Sequence, residues 1–585
     1  MEYWVIKNIK ADFKEIMDEF NLNEATVRCL VNKGYEKRED IEEFLYPTID
    51  KLHDPMKLKD MKEACHILNS KIRSASRIRI IGDYDVDGIV ATYIIYRTLK
   101  MLGAKVDYQM PDRVDDGYGI NTCMVENAHE QGIDTIITCD NGIVALEEIE
   151  IAKKYGMTFI VTDHHSLAKS PEGQDILPKA DAVINSKRQD CNYPFKELCG
   201  AAIAFKLIEA LLGYYDIPDK NKYIEEMISY TAIATVCDVM DLVGENRIIV
   251  KAGLDILSKT ENKGLLALME ISKVDKERLS TYHLGFVIGP CLNASGRLDS
   301  AELGLELMLA QSQEEAIDLA REVRSLNDIR KEMTSKNVDK AVKKIEESSM
   351  KNDKVLCIYL EDCHESIAGI IAGRIRDRYY RPTIVLTESK DGVKGSGRSI
   401  EQYNMIEELR KSSSLMTRLG GHPMAAGLSL KEENVDLLRE SLNKNTKLTD
   451  QMLRRKVTID VELPIGYVNY KLIDELKMLE PFGKGNSKPL FAERDLKIKS
   501  AFIIGKNSSG IRFRMENRYK KEMDAIYFGD VEKFFNYIAD EYGQDEADKI
   551  RMGRGSDISL TITYYPKINE YKGYKNIQLM IENYR

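Results

Sequence analysis

Three carboxylates stand within five residues in Asp83-Tyr84-Asp85-Val86-Asp87-Gly88, directly after the apolar run RIRII at 77–81. Such groups repel one another unless a cation holds them, so metal binding is a more economical reading than an acidic surface loop. The flanking Ile78, Ile80, Ile81, Ile89 and Val90 argue for a buried strand end. A calcium-binding EF-hand loop also begins D-x-D-x-D-G, but the twelfth position here is Ile94, where a bidentate Glu is needed, and a strand precedes the loop instead of a helix. Two further apolar runs end in the same way: DTIITC in Asp140-Asn141-Gly142, and TFIVT in Asp163-His164-His165. A fourth position, Asp238 in ATVCDVMDL, belongs within or just after a helix. Any single Asp could cap a helix or a turn. Three strands in succession that all end in carboxylates are harder to dismiss. Oxygen donors with one or two imidazoles and no thiolate favour Mn²⁺ or Mg²⁺ over zinc, with Mn²⁺ preferred for the histidine. So many carboxylates imply two ions. A pair about 3.5–4 Å apart would bridge a water, lower its pKa and neutralise phosphoryl charge, which is the chemistry of phosphoester hydrolysis.

The elements that must position these groups are short strands alternating with helices. RIRII precedes the helix GIVATYIIYRTLKML, DTIITC precedes VALEEIEIAKKYG, and TFIVT and DAVIN (181–185) follow. That alternation indicates βαβ units and a mostly parallel sheet, whose ligands bind outside the carboxyl ends of the strands. Asp85, Asp87, Asp140 and His164 should therefore converge on one crevice. A polar helix over 314–346, without Pro or Gly, reads as a semi-rigid strut. It leads to a second α/β unit: KVLCIYL (354–360), ESIAGIIAGRIRDRYY, PTIVLT (382–387) and a Gly-rich loop. The expected fold class is thus α/β, with a parallel-sheet domain, a smaller α/β domain and a C-terminal antiparallel barrel. The expected divisions are a helical N-terminal segment (1–55), a catalytic domain (56–315), a connecting helix (316–348), the smaller domain (349–448) and the barrel (449–585).

The chain has 585 residues, 43% of them hydrophobic and 31% charged, which excludes wholesale disorder. No apolar run approaches the ~18 residues of a membrane span. The ten cysteines are scattered without a C-x-x-C pair, so reduced thiols and a cytoplasmic location are expected. A net charge of −10 argues against a nucleic-acid binder, but its distribution does not. Residues 451–585 carry 24 Lys+Arg, 20 Asp+Glu and 18 of the 45 aromatics. Alternating strands such as DISLTITYYPKI and NIQLMIENY suggest a small barrel there.

Taken in order, GDYDVDG (82–88), PDRVDDGYG (111–119), CDNG, TDHH, LCGAAIAFKL (198–207), ATVCDVMDL, IGPCLNASGRL (289–298), HESIAGIIAGR (364–374), KGSGRS (394–399), GGHPMAAG (420–427) and PFGKGNSKPLF (481–491) resemble the DHH phosphoesterase superfamily. Within it, the likeness is to single-strand-specific 5′→3′ DNA exonucleases of repair and recombination. The resemblance implies one ion held by Asp85 and Asp140 with Asp83 nearby. A second would be held by Asp87, Asp140, His164 and Asp238. His165 would contact the scissile phosphate, and Asp163 would orient the adjacent imidazole. The second α/β unit resembles the DHH-associated domain. Gly395-Ser396-Gly397-Arg398-Ser399 could form a backbone nest with a phosphate-gripping Arg398, and His422 would stand beside it. Two ordinary glycine turns are the alternative. Arg113 and Arg297 are assigned to a terminal phosphate by resemblance alone. The C-terminal domain resembles an OB-fold, although most of its aromatics can be barrel core. Single-stranded DNA is the implied partner, with a helicase and a single-strand-binding protein beside a monomeric enzyme. The other readings are a DHH phosphodiesterase of short RNA or cyclic dinucleotides, a polyphosphatase, or a non-catalytic DNA-binding scaffold. Asn185-Ser186, Asp241, Cys291 and Ser366 depart from the family pattern as read here and bear on substrate preference.

Overall fold

Runs of β-branched residues build the first sheet. The computed structural model describes residues 2–113, 119–390, 392–506, 508–571 and 573–585, so residues 114–118 of the PDRVDDGYG motif lie outside the described residues. Five parallel strands form the sheet, in the order Lys105–Gln109, Arg77–Ile81, Thr135–Cys139, Thr158–Thr162, Ala182–Ile184. The strand order reverses between Arg77–Ile81 and Thr135–Cys139, and the crevice outside such a switch point is where open α/β sheets bind ligands. Lys105–Gln109 escapes a reading by apolar runs because it is an edge strand. Val106 is buried and its neighbour Lys105 is exposed.

The helices Val86–Met101, Gly200–Leu212 and Lys220–Cys237 share one core with the sheet, and Thr122–Glu130 and Leu146–Lys154 share another. Val86–Met101 and Gly200–Leu212 are buried along nearly their whole length, as their continuous apolar sequences require. The helix Gln313–Glu346 opens on a capping box between Ser312 and Glu315. Its buried residues Ala316, Ala320 and Val323 belong to the first core, whereas Ala341 and Ile345 belong to a core of the second α/β region.

That second region has a mixed sheet in the order Met416–His422, Ala425–Leu430, Gly392–Arg398, Thr383–Ser389, Leu356–Tyr359. Only the last pair of strands runs parallel. The expected glycine loop at 395–399 is corrected here. Gly392–Arg398 is an inner strand whose backbone pairs with neighbours on both sides, so its N–H groups are committed to the ladder and form no nest. The glycines serve packing, since a Cβ on Gly395 would lie 2.4 Å from Leu386 Cδ2.

The chain divides into two units: 48–454 with 483–485, and 1–47 with 455–482 and 486–585. The N-terminal segment thus shares a unit with the C-terminal barrel. Tyr3–Ile6 pairs in parallel with Lys456–Ile459. Glu475 accepts hydrogen bonds from Asn23 N (2.8 Å), Asn23 Nδ2 (2.6 Å) and Thr26 Oγ1 (2.7 Å). In the barrel, Phe491–Ile504, Gly510–Glu516, Glu522–Phe528, Tyr574–Tyr584 and Ser559–Tyr571 pair in sequence, and the last returns to the first. This is a closed five-stranded OB-type barrel, antiparallel except where Glu522–Phe528 meets Tyr574–Tyr584. Among the described residues no helix is long and apolar enough to cross a membrane.

Candidate active site

At the switch point each acidic residue is placed by a local device. Asp85 caps the helix Val86–Met101, its Oδ1 accepting from Asp87 N (2.9 Å) and Gly88 N (3.2 Å). Gly88 is required there, because a Cβ would lie 2.3 Å from the Asp83 carbonyl oxygen. Asp87 is buried, and its carboxylate accepts from Gly200 N (2.6 Å) and Ala201 N (2.8 Å) at the start of the helix Gly200–Leu212. Asp140 follows its strand in the left-handed region, with φ +62°. Asn141 ties two strand ends together through Nδ2, donating to Ile81 O (3.1 Å) and Cys139 O (2.9 Å). Asp238 is the C-cap of Lys220–Cys237.

Asp83, Asp85 and Asp140 offer oxygens within 4.8 Å of one another, and so do the ligand atoms of Asp87, His164 and Asp238, and of Asp140, His164 and His165. His164 Nε2 lies 3.1 Å from Asp140 Oδ1 and 3.7 Å from both Asp87 Oδ2 and Asp238 Oδ2. Burial pushes its pKa down to about 4, so the imidazole is neutral and does not balance these carboxylates as a cation. Burial, and then the neighbouring Asp85, push the Asp83 carboxyl up to about 8. Burial together with Asp87 and Asp85 does the same to Asp238, also to about 8. Asp87 and Asp140 are raised by burial and by their neighbours. Asp83 Oδ1 is buried and unpartnered, as is His164 Nδ1. An oxygen-rich donor set with one neutral imidazole, destabilised by its own charge, fits divalent cations of the Mn²⁺ or Mg²⁺ kind.

Asp163 is engaged on both oxygens. Oδ1 accepts from His164 N (2.7 Å), His165 N (2.9 Å) and His165 Nδ1 (2.8 Å), and Oδ2 from Ile143 N (2.9 Å). Burial would lower the His165 pKa, but the bond to Asp163 outweighs it and pushes the pKa up to about 9. Asp163 therefore orients His165 and keeps it cationic near neutral pH.

The predicted phosphate residues gather beside this cluster. Tyr84, Arg113, Ser396 and Arg418 line a cleft of about 610 Å³. The Arg113 guanidinium stacks 4.5 Å over the Tyr84 ring. Arg398 Nη1 donates to Gly397 O (2.8 Å) and Ser396 Oγ (3.3 Å). Burial lowers the Arg398 pKa, and the positive charges of Arg376 and Arg113 lower it further. Arg297 is pushed down to about 9 by burial and then by Arg113 and Arg330, and it donates to Ser366 O (2.6 Å). Crowded guanidiniums of this kind attract an anion. Gly369 makes the room, since its Cβ would come within 2.8 Å of both Arg398 Nη2 and Ser396 Oγ. His422 stands two strands across the sheet from Arg398, with Ala425 between them. It lines a neighbouring pocket with His164, His165 and Lys187, not the cleft of Ser396.

Several contributors were invisible to motif reasoning. Lys187 reaches the histidine pocket from a loop. Asn185 Nδ2 donates to His165 O (2.9 Å), so the Asn185-Ser186 departure lies under a site residue. Asn293 Oδ1 accepts from Val86 N (3.1 Å), and a Cβ on Gly296 would lie 2.3 Å from Tyr84 O, so the NASGR helix clamps the carboxylate loop. Cys291 and Asp241 stand apart, the first 3.2 Å from Asn327 Nδ2 and the second 3.2 Å from Lys484 Nζ.

A parallel sheet with its acidic switch point, a capping α/β region and an OB-type barrel define a DHH phosphoesterase. Family models match accordingly: the DHH family N-terminal domain at 77–235, the DHHA1 domain at 352–447 and the RecJ OB domain at 459–583. The chain belongs to the RecJ family. It is 33% identical to the single-stranded-DNA-specific exonuclease RecJ of Bacillus subtilis over 99% of this chain and 70% of the relative. It is 31% identical to the Escherichia coli protein of the same name over 90% of each. The crystal structure of RecJ from Thermus thermophilus in complex with Mn²⁺ superposes with a TM-score of 0.81 at 25% identity, covering 100% of this chain and 79% of that one.

Proposed function

We propose that this chain removes mononucleotides from the 5′ end of single-stranded DNA by hydrolysing phosphodiester bonds at the switch-point carboxylates. The observation that carries the reading is the arginine cleft beside the Asp/His cluster. Asp83, Asp85 and Asp140 would hold one divalent ion, and Asp87, Asp140, His164 and Asp238 a second, with Mn²⁺ favoured over Mg²⁺ by the imidazole. Bound there, the ions would supply a water of lowered pKa and neutralise charge on the phosphoryl group.

The chain's own residues do the rest. Arg113, Arg297, Ser396 and Arg398 grip the terminal 5′ phosphate, so the strand is measured from that end and a single nucleotide is released. His165, kept cationic by Asp163, sets a positive charge against the scissile phosphate. His422 and Lys187, which line the histidine pocket, add donors there. In the barrel, Phe502 is 58% exposed and pairs across the sheet with Arg512, an arrangement suited to stacking a base and holding its phosphate. Tyr564, Phe491 and Phe513 are buried and form the barrel core. Such an enzyme fits repair and recombination, where a helicase and a single-strand-binding protein supply and hold its substrate.

The test supplies Mn²⁺ with 5′- or 3′-labelled single strands, duplex, oligoribonucleotide and polyphosphate, alongside Asp140→Ala. Immediate mononucleotide release from the 5′ label alone is expected, and its loss in the variant. Release from the 3′ end, or equal activity on duplex, would refute the reading. Arg398→Ala should raise KM for 5′-phosphorylated strands about tenfold or more.

A further inference from the structure

Two large aromatic side chains stand in solvent on one helical turn of the catalytic unit. Tyr282 is 61% and Phe286 70% exposed, and their rings stack with centroids 5.3 Å apart and planes 24° from parallel. An i, i+4 pair normally turns its apolar surface into the protein. Here the pair faces out, and the backbone beneath it is irregular. Thr281–His283 begins as an α-turn and widens into a π-turn over Leu284–Ile288, closed by Gly289 N donating to Leu284 O. Pro290, which has no N–H to continue the ladder, follows directly. Leu284 and Ile288 are buried, while Phe286, two residues from each and so on the opposite side of the helix, faces out. Single π-turns of this kind concentrate at functional sites.

The location gives the pair a purpose. Leu284 O accepts from Cys237 Sγ (3.5 Å), and Gly289 abuts the same thiol, where a Cβ would lie 2.3 Å away. The aromatic turn is therefore packed on the residue preceding Asp238. Beyond it the helix Gly289–Leu298 runs past the carboxylate loop, touching it at Asn293 and Gly296, and carries Arg297 in its last turn. One continuous segment thus carries aromatic rings at one end and a phosphate-site arginine at the other, with the acidic centre alongside. Arg297 lies eleven positions beyond Phe286 along the helix, a rise of about 16 Å. A strand advances about 3.4 Å per nucleotide when stacked and more when extended, so this span covers roughly three to five nucleotides.

We propose that Tyr282 and Phe286 form a stacking platform for a base of the single-stranded substrate, roughly three to five nucleotides in from the 5′ end. The proposal rests on the 5′-phosphate reading above. Ring faces bind any base, so the platform holds the strand without selecting sequence, and paired bases cannot offer a splayed face to it.

The experiment places 2-aminopurine at successive positions of a 5′-phosphorylated oligodeoxynucleotide. Each oligonucleotide is titrated with the full-length Asp140→Ala protein and with the same protein carrying Phe286→Ala, Tyr282→Ala or Phe286→Trp. Quenching confined to a position three to five nucleotides from the 5′ end is expected. Both alanine variants should lose it and bind roughly 5- to 100-fold more weakly, and Phe286→Trp should restore both. Unchanged quenching and affinity in the alanine variants would overturn the platform, as would failure of Phe286→Trp to rescue. A parallel titration without the 5′ phosphate separates the two readings. Indifference to that phosphate in the parent protein is a failure of the end-recognition reading. Dependence on it with no effect at Phe286 or Tyr282 is a failure of the platform alone.

Discussion

The carboxylates at the switch point work against the stability of the metal-free protein. Asp83 and Asp238 have pKa values raised to about 8, first by burial and then by neighbouring carboxylates. A raised carboxyl pKa means that the folded state binds the proton more tightly than the unfolded chain. Stability is therefore greatest below the unfolded value and is lost as pH climbs through about 8. A divalent ion replaces those protons. In EDTA the melting temperature should fall between about pH 5.5 and about pH 8. Mn²⁺ should raise it by about 5 °C or more at the higher pH and much less at the lower one. Equal Mn²⁺ shifts at both would contradict the charge crowding. The ligand types were readable because a metal site must spend several like charges in a few residues, and DYDVDG, CDNG and TDHH do so openly. Lys187 and Asn185 were not, since a lone Lys or Asn in a loop has no pattern to betray it.

Elements hold these groups through their ends. The helix Gly200–Leu212 donates two backbone N–H groups to Asp87, and its first residue lies against Asp140, where a Cβ would meet Oδ1 at 2.6 Å. Gly200→Ala should weaken Mn²⁺ binding about 10- to 100-fold and depress activity at least as much, with the circular-dichroism spectrum unchanged. Wild-type Mn²⁺ affinity by calorimetry would show that the helix start can shift without disturbing Asp140. Strands with both faces buried announced themselves as unbroken runs of Ile and Val. The edge strand Lys105–Gln109 did not, and Gly392–Arg398 read as a loop because glycine normally weakens a strand. There the glycines admit Leu386, Leu428 and Met405, a requirement set by neighbours distant in sequence.

At the scale of the molecule, the first 47 residues pack with the last 130 or so, although composition sets them apart as a separate helical lead-in. Leu30, Val31, Ile41, Phe44 and Leu45 share a core with barrel residues such as Leu476 and Phe491. A fragment of residues 48–454 should be soluble, whereas residues 1–454 should be cut rapidly within the first 47 by trypsin, with the remainder resistant. Resistance of that segment in residues 1–454 equal to its resistance in the full chain would mean that it folds unaided. No periodicity could reveal this partnership, because it joins positions more than 400 apart and rests on Glu475 answering Asn23 and Thr26.

The parallel pairing of Tyr3–Ile6 with Lys456–Ile459 sets a schedule for the growing chain. At about 5–20 residues per second, a ribosome needs roughly 20 to 90 seconds to travel from the first of these strands to the second. For most of that interval Tyr3–Ile6 has left the tunnel while its partner has yet to be made. The strand Tyr3–Ile6 thus waits unpaired, and its apolar side chains are a prolonged target for chaperones.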